Sequence, residues 1–220
     1  MNRSEVIQMV ISFVKRELEY AESGHDWWHV YRVWKLSQHI AKNEKVDLFI
    51  VELGALLHDI ADSKFYDGDE SVGPKKARIF LKSLNIDNDV IEHVEKIILN
   101  ISFRGGMYVQ KFKSNELNVV QDADRLDALG AIGIARAFCF AGNKNLTVYN
   151  PEIKPNLKLT KEEYKNYKRD DYTQINHFYE KLLLLKNKMN TETGRNVAKH
   201  RHEFMEKYLK EFYGEWEGEL

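Results

Sequence analysis

Apolar residues recur along most of this chain at intervals of three and four, the spacing that places side chains on one face of an α-helix. The first such stripe consists of Val6, Val10, Val14 and Leu18. Ser4 precedes it and can accept a hydrogen bond from a helix start. We therefore predict an amphipathic helix over residues 4–20.

The same spacing predicts a series of further helices, each beginning near a residue that suits a helix start. Asp26, Asp47 and Asp87 can each cap a helix, and Pro74 fits a first turn. The predicted segments are 26–43, 47–58, 74–84, 87–101 and one long helix over 114–135, followed by two final helices over 175–185 and 193–212.

Between residues 142 and 170 the helical pattern gives way to loop signals. Asn143, Asn145, Pro151, Pro155 and several lysines replace the apolar stripe, so we predict a long loop or mobile insertion here. No stretch alternates long enough between apolar and polar residues to predict a strand. The pattern predicts an all-α fold, with C-terminal helices over 171–216.

Composition narrows the class of protein. The 220 residues contain no linker, which favours one domain over 1–220, and no apolar run approaches the roughly 20 residues of a membrane span. The start of the chain lacks the pattern of a secretory signal, so we expect a cytoplasmic protein. A net charge of -1 gives no general attraction to nucleic acid. The single cysteine, Cys139, excludes an internal disulfide and is expected to be a small buried residue.

Candidate chemistry comes from polar residues that interrupt the inward-facing stripes. The apolar run at residues 55–57 ends in His58 and Asp59, and burying an unpaired carboxylate beside an imidazole costs several kcal/mol. His29 and Asp124 interrupt the stripes of two other predicted helices. Each of these residues alone could be a satisfied core polar group, but together they favour a divalent metal site.

The residue types constrain the metal. Nitrogen and oxygen ligands without a thiolate suit manganese, iron, cobalt, nickel or zinc. Four protein ligands in an octahedral shell would leave positions for water and for a substrate oxygen. An open position of this kind favours a catalytic site over a structural one.

These residues resemble the pattern of the HD-domain metal-dependent phosphohydrolases: a histidine, a His-Asp doublet and a distant aspartate. Here they are His29 followed by Arg32-Val33, the doublet His58-Asp59 after an apolar helix, and Asp124 within Asp122-Ala-Asp-Arg-Leu-Asp127. The resemblance covers roughly residues 20–140 and implies an HD-domain helical bundle.

A subgroup of small bacterial HD hydrolases is more similar still. It shares Gly-His-Asp-x-x-His at residues 24–29, Ile-Ser-Phe-x-Gly-Gly at 101–106, and a helical tail such as 181–216. Some of its members look like nucleoside triphosphate pyrophosphohydrolases.

The resemblance implies His29, His58, Asp59 and Asp124 as ligands of a divalent ion, for which Mn²⁺ is favoured and Mg²⁺, Fe²⁺, Co²⁺, Ni²⁺ and Zn²⁺ stay open. HD sites with two metals add histidines between the doublet and the last aspartate. The matching stretch at 99–103 has none, and His93 lies early in its helix. We therefore expect one metal and disfavour a cyclic nucleotide phosphodiesterase.

Other site residues are expected from spacing and resemblance. Asp62 lies one turn beyond the doublet if the helix continues, so it can orient or deprotonate the attacking water; the alternative is a carboxylate that ends the helix. The candidate contacts to substrate phosphates are His25, Arg32, Lys64 and Arg104. For Arg32 the alternative is a structural ion pair, and for Lys64 a solvated charge.

The resemblance implies a metal-dependent phosphohydrolase acting on a small phosphorylated molecule, with cleavage of a (deoxy)nucleoside triphosphate to monophosphate and pyrophosphate as the first choice. A nucleotidase that releases orthophosphate uses the same metal and water. A nucleotide sensor with little turnover, and a structural helical adaptor, are alternatives from other classes. The sequence gives no indication of oligomeric state.

Overall fold

The all-α prediction is confirmed. The computed structural model describes residues 1–21, 24–61, 66, 69–101, 112–157 and 172–220. Their helices are α1 (Arg3–Glu17), α2 (Trp27–Ala41), α3 (Leu48–Leu57), α4 (Val72–Ser83), α5 (Asn88–Asn100), α6 (Asn115–Asp127), α7 (Gly130–Asn143), α8 (Gln174–Glu180), a 3₁₀ helix (Leu182–Lys188) and α9 (Glu192–Glu217). Within these described ranges the extended pairing is limited to an isolated bridge between Thr147 and Thr173.

The chain contacts divide it into two compact units, Met1–Asp124 and Arg125–Leu220. The last turn of α6 contains the boundary. A single HD-type domain over 1–220 stays a prediction beside this division.

Helix α3 is the centre of the first unit, because it packs against α1, α2 and α5. Most of its residues are buried, so apolar side chains lie on all faces of the helix and not along one stripe. At Gly54 the absence of a side chain lets α5 come close: a Cβ there would lie 3.1 Å from a methyl carbon of Ile97. The same position faces Val120 of α6. The end of α3 is therefore held from several sides.

Asp26, Asp47 and Asp87 lie at the predicted N-cap positions, although the Asp87 side chain forms no capping hydrogen bond. The side chains of Asp26 and Asp47 accept hydrogen bonds from the first turns of α2 and α3, as predicted. Ser4 was the wrong cap for α1. Asn2 occupies that position. Its side-chain oxygen accepts a hydrogen bond from the Glu5 backbone N–H, and the Glu5 carboxylate accepts one from the Asn2 backbone N–H.

The predicted long helix over 114–135 is instead two helices. It ends at Asp127 and α7 begins at Gly130, whose φ of +72° lies in the left-handed region. Because the helix axis breaks there, the apolar stripe of α6 does not continue, and Ala131 and Ala135 are exposed. Cys139 follows on the same exposed face, so the expectation that it is buried was wrong.

The second unit contains α7, α8, the 3₁₀ helix and α9. The predicted helix over 175–185 is divided after Glu180, and Thr191 caps α9 through the Gly194 amide. Phe178 of α8 stacks on Tyr208 of α9 with ring centroids 5.9 Å apart. Residues 144–157 contain turns without a helix, and 158–171 of the predicted loop lie outside the described residues. Where the chain is described, its helices are too short or too polar to span a membrane.

The break between α6 and α7 gives a stability prediction. A Cβ added at Gly130 would lie 3.0 Å from Cγ of Arg201, whose guanidinium donates to the Leu126 carbonyl, and would also occupy a left-handed conformation. We expect Gly130→Ala to lower the free energy of unfolding by about 1–3 kcal/mol in urea denaturation. Gly142→Ala is the matched control in the same helix, since nothing lies within 4 Å of its Cβ position.

The control is expected to be neutral or to stabilise by up to about 1 kcal/mol, because alanine favours a helix more than glycine does. Equal unfolding free energies for the two variants would contradict the structural role given to Gly130.

Candidate metal centre

His29 is placed by the start of α2. The Asp26 side chain accepts a hydrogen bond from the His29 backbone N–H at 2.9 Å, which fixes this residue in the first helical turn. Its side chain is only 3% exposed. The imidazole therefore points into the first unit, as its position on the apolar stripe predicted.

His58 is placed by the end of α3. The helix ends at Leu57, and the last carbonyls of a helix lack partners within it. The Ala55 carbonyl is one of these, and it accepts a hydrogen bond from His58 Nδ1 at 2.8 Å. Because a carbonyl oxygen only accepts, Nδ1 carries the hydrogen, and Nε2 is the ring nitrogen that could bind a metal. That Nε2 lies 3.3 Å from Nε2 of His29.

Two carboxylates approach the same pair of ring nitrogens. Asp59 Oδ2 lies 4.0 Å from His29 Nε2. Asp124, on the last turn of α6, brings Oδ1 to 3.4 Å from the same nitrogen and to 4.0 Å from His58 Nε2. One ligand atom from each of His29, His58 and Asp59 lies within 4.8 Å of the others. Helix α2 and the chain just after α3 thus bring together three donors, and α6 adds the Asp124 carboxylate beside the two imidazoles.

These distances fit a single divalent ion. Ligands bound at about 2.1 Å lie about 3.0 Å apart when adjacent in an octahedron and about 4.2 Å apart when opposite. The separations of 3.3, 3.4 and 4.0 Å fall between these limits. The hydrogen bond from His58 to a backbone carbonyl is also the outer contact that orients metal-binding histidines. The donor set, without thiolate, suits a borderline or hard cation.

Both carboxylates are held in the ionised form. Burial raises the pKa of Asp59, but the hydrogen bond from His25 and the charges of the neighbouring imidazoles outweigh it, so the pKa lies well below its usual value. Burial also raises the pKa of Asp124, and the hydrogen bond with His29 together with the imidazole charges lowers it overall. Each carboxylate is therefore a candidate anionic ligand at neutral pH.

His25, predicted as a substrate contact, lies directly beside the cluster. Its Nδ1 is 2.5 Å from Asp59 Oδ2, and its ring meets that of His29 edge to face with centroids 6.0 Å apart. The sequence placed His25 near the site but did not predict its contact with Asp59. The only signal for it was the break in helical pattern at Gly24, which turns the chain before α2.

Among the other predicted residues, the structure describes Arg32. Arg32 is half-buried on α2, one turn after His29. Asp62, Lys64 and Arg104 lie outside the described residues. The helical spacing used for Asp62 does not apply, because α3 ends at Leu57.

Two residues near Asp124 or on the neighbouring helix α5 have structural partners. Arg125, next to Asp124 in the chain, donates to the backbone carbonyl of Lys188. His93 lies 2.9 Å from Ser114 Oγ and 3.4 Å from a Glu116 carboxylate oxygen. The contacts of His93 hold the start of α6, where Glu116 also accepts a hydrogen bond from the Asp47 backbone N–H.

Comparisons with known proteins agree with this geometry. Residues 27–129 match the family described as HD domain. The chain is 37% identical over 214 residues to YpgQ of Bacillus subtilis (strain 168), named an uncharacterized protein, with 96% of this chain and 94% of the relative covered. Among solved structures, an HD-superfamily hydrolase from Bacillus thuringiensis is 40% identical, with a TM-score of 0.78 and coverage of 99% of this chain and 100% of the other.

A second solved structure is that of Bacillus subtilis YpgQ in complex with ADP. It is 35% identical in the structural alignment, with a TM-score of 0.76 and coverage of 98% of this chain and 97% of the other. The chain belongs to the HD-domain superfamily of metal-dependent phosphohydrolases. The family assigns the class of reaction, and the residues above are our candidates for the divalent metal on which that class depends.

The candidate site predicts metal binding that removal of one ligand abolishes. After chelation, wild-type protein should take up one Mn²⁺ per chain in isothermal titration calorimetry. It should also gain about 2.7 kcal/mol of stability at a free ion concentration 100 times the dissociation constant. His58→Ala should show neither effect, because the site loses a ring nitrogen.

His39→Ala is the matched control, since His39 is an exposed histidine on α2. Uptake of Mn²⁺ by His58→Ala with wild-type affinity would remove His58 from the ligand set.

Proposed function

We propose that this protein hydrolyses nucleoside or deoxynucleoside triphosphates to the monophosphate and pyrophosphate. The class of reaction follows from the family, and the proposal concerns the substrate and the bond that is cleaved. The observation that carries it is the ADP complex of YpgQ, a protein that matches this chain over nearly its whole length. A bound nucleoside diphosphate in that protein supports a nucleotide as the substrate here.

The exposed fractions of the side chains support entry of the substrate phosphates from one side of the cluster. The side chains of His29 and His58 are 3% and 4% exposed, whereas that of Asp124 is 33% exposed and that of His25 is 41% exposed. Solvent therefore reaches the cluster beside Asp124 and His25. A triphosphate entering from this side would meet the cluster without any rearrangement of the buried imidazoles.

The protein's own groups have distinct tasks in this proposal. His29 and His58 would each bind the ion through Nε2, and Asp59 and Asp124 would supply negative charge that offsets a dication. A divalent ion held by these residues would lower the pKa of a bound water from about 15.7 to about 7 and would polarise a phosphoryl oxygen. The Ala55 carbonyl keeps the His58 ring in the tautomer that leaves Nε2 free.

Substrate positioning is assigned to basic side chains that the sequence and the family pattern indicate. We propose Arg32, Lys64 and Arg104 as partners for the phosphate oxygens, because guanidinium and ammonium groups form charge-assisted hydrogen bonds with phosphate. Asp62 is proposed to orient or deprotonate the attacking water, which it must reach within hydrogen-bonding distance. These assignments rest on sequence position and on the family pattern.

One divalent ion is proposed, with Mn²⁺ favoured. Two imidazoles and two carboxylates combine borderline and hard donors, a set that Mn²⁺ accepts together with open positions for water. Metal-free protein should regain most activity with Mn²⁺ in a series with Mg²⁺, Fe²⁺, Co²⁺, Ni²⁺ and Zn²⁺.

Product analysis tests the cleaved bond. Protein loaded with Mn²⁺ and incubated with a panel of nucleoside and deoxynucleoside triphosphates should release pyrophosphate and monophosphate in equal amounts, observed by phosphorus NMR. Orthophosphate from a monophosphate would instead identify a nucleotidase. Nucleotide binding without turnover would identify a sensor.

Asp124→Asn is the variant that links turnover to the cluster. It keeps the size of the side chain but removes its charge, and we expect kcat/KM to fall at least about 100-fold, the upper range for groups outside the ligand shell. The control is His39→Ala, which should retain wild-type turnover. Activity of Asp124→Asn equal to wild type would separate the reaction from this site.

A further inference from the structure

His25 and Asp59 form the shortest contact in the cluster that an imidazole makes with a carboxylate. His25 Nδ1 lies 2.5 Å from Asp59 Oδ2, and this same oxygen faces His29 Nε2 at 4.0 Å. An ionised carboxylate only accepts hydrogen bonds, so Nδ1 carries the hydrogen and donates it. Oδ2 is thus held between the two histidine rings.

We propose that His25 is a positioning residue that orients the metal-binding oxygen of Asp59, and that it acts on metal affinity instead of contacting substrate. Carboxylates that bind metals are commonly hydrogen-bonded by an outer group, which fixes the direction of the remaining lone pair. His25 supplies this bond to Asp59 as the Ala55 carbonyl does to His58. The proposal rests on the metal site proposed above and extends it to a residue outside the ligand set.

The geometry distinguishes this role from that of a further ligand. Two donors adjacent on one ion, each bound at about 2.1 Å, lie about 3.0 Å apart. The 2.5 Å between Nδ1 and Oδ2 is shorter than that, so the two atoms are in direct hydrogen-bond contact. His25 therefore binds the carboxylate itself.

The local chain explains why His25 can reach Asp59. Gly24 has a φ of +115°, a conformation that side chains other than glycine rarely adopt, and it turns the chain just before α2. Asp26 then caps α2 through the His29 amide. Since the residues on both sides of His25 are fixed in this way, its ring lies against the His29 ring and beside Asp59.

Substitution of His25 tests the proposal by metal binding, without nucleotide. The Asn side chain carries an amide nitrogen at nearly the place of Nδ1, so His25→Asn keeps a donor, whereas His25→Ala removes it. In calorimetric titration of chelated protein with Mn²⁺, the dissociation constant of His25→Ala should be about 10- to 100-fold larger than that of wild type. This is roughly the range for residues that hydrogen-bond a metal ligand. His25→Asn should recover most of the affinity, and His39→Ala should bind as wild type does.

Circular dichroism and thermal melting of the metal-free variants report whether each one folds. Steady-state kinetics at saturating Mn²⁺ then separate positioning from substrate contact. A raised KM for nucleotide with unchanged Mn²⁺ affinity in His25→Ala would overturn the proposal in favour of a substrate contact. Equal loss of affinity in His25→Ala and His25→Asn would also overturn it, since the donated hydrogen bond would then not matter.

The result for wild-type protein keeps the two proposals apart. If His25→Ala bound Mn²⁺ as tightly as the wild-type protein does, the role of His25 would be refuted and the proposed function would be left intact. Strong Mn²⁺ binding by wild type with release of orthophosphate would refute the proposed reaction alone. Absence of Mn²⁺ binding by wild type would remove the basis of both.

Discussion

The structure of the first unit depends on how two imidazole nitrogens and two carboxylates are accommodated at the edge of an apolar core. His29 and His58 face each other with Nε2 atoms 3.3 Å apart, and both rings are almost fully buried. Two imidazole nitrogens beside two carboxylates, largely removed from water, form a donor arrangement that a bound cation would stabilise. A divalent ion satisfies both nitrogens and both carboxylates at once, which is why the arrangement favours metal binding.

The candidate ligands lie at or next to the ends of helices. His29 lies in the first turn of α2, His58 directly follows α3, and Asp124 lies in the last turn of α6. Backbone groups at helix ends need partners outside the helix, and here they fix the ligand side chains. The Asp26 cap holds the backbone of His29, and the carbonyl of Ala55 in the last turn of α3 holds the ring of His58. The requirement for helix capping thus also orients the candidate ligands.

The sequence predicted the helices and the four ligand candidates because both leave a periodic signal. A polar residue that interrupts an apolar stripe is visible without a structure, and His29, His58 and Asp124 were found in this way. The break at Gly130 was not predicted, because a glycine in a small-residue stripe is also compatible with a continuous helix, and only its positive φ distinguishes the two.

Contacts between distant segments were the least predictable features. The hydrogen bond from His25 to Asp59 joins residues 34 positions apart, and no periodicity relates a turn before α2 to the end of α3. The exposure of Cys139 depends on which face of α7 packs against α9, and the local sequence, with a phenylalanine on each side, favoured the wrong face. The cap of α1 was missed because Asn2 and Ser4 are both good capping residues.

A crystal structure of Mn²⁺-loaded protein, with anomalous diffraction to locate the metal, tests the central claim most directly. The account predicts one anomalous peak within about 2.0–2.3 Å of Nε2 of His29, Nε2 of His58 and one oxygen each of Asp59 and Asp124. A peak coordinated elsewhere, or a structure in which His29 and Asp124 lie too far from His58 and Asp59 to share an ion, would contradict it.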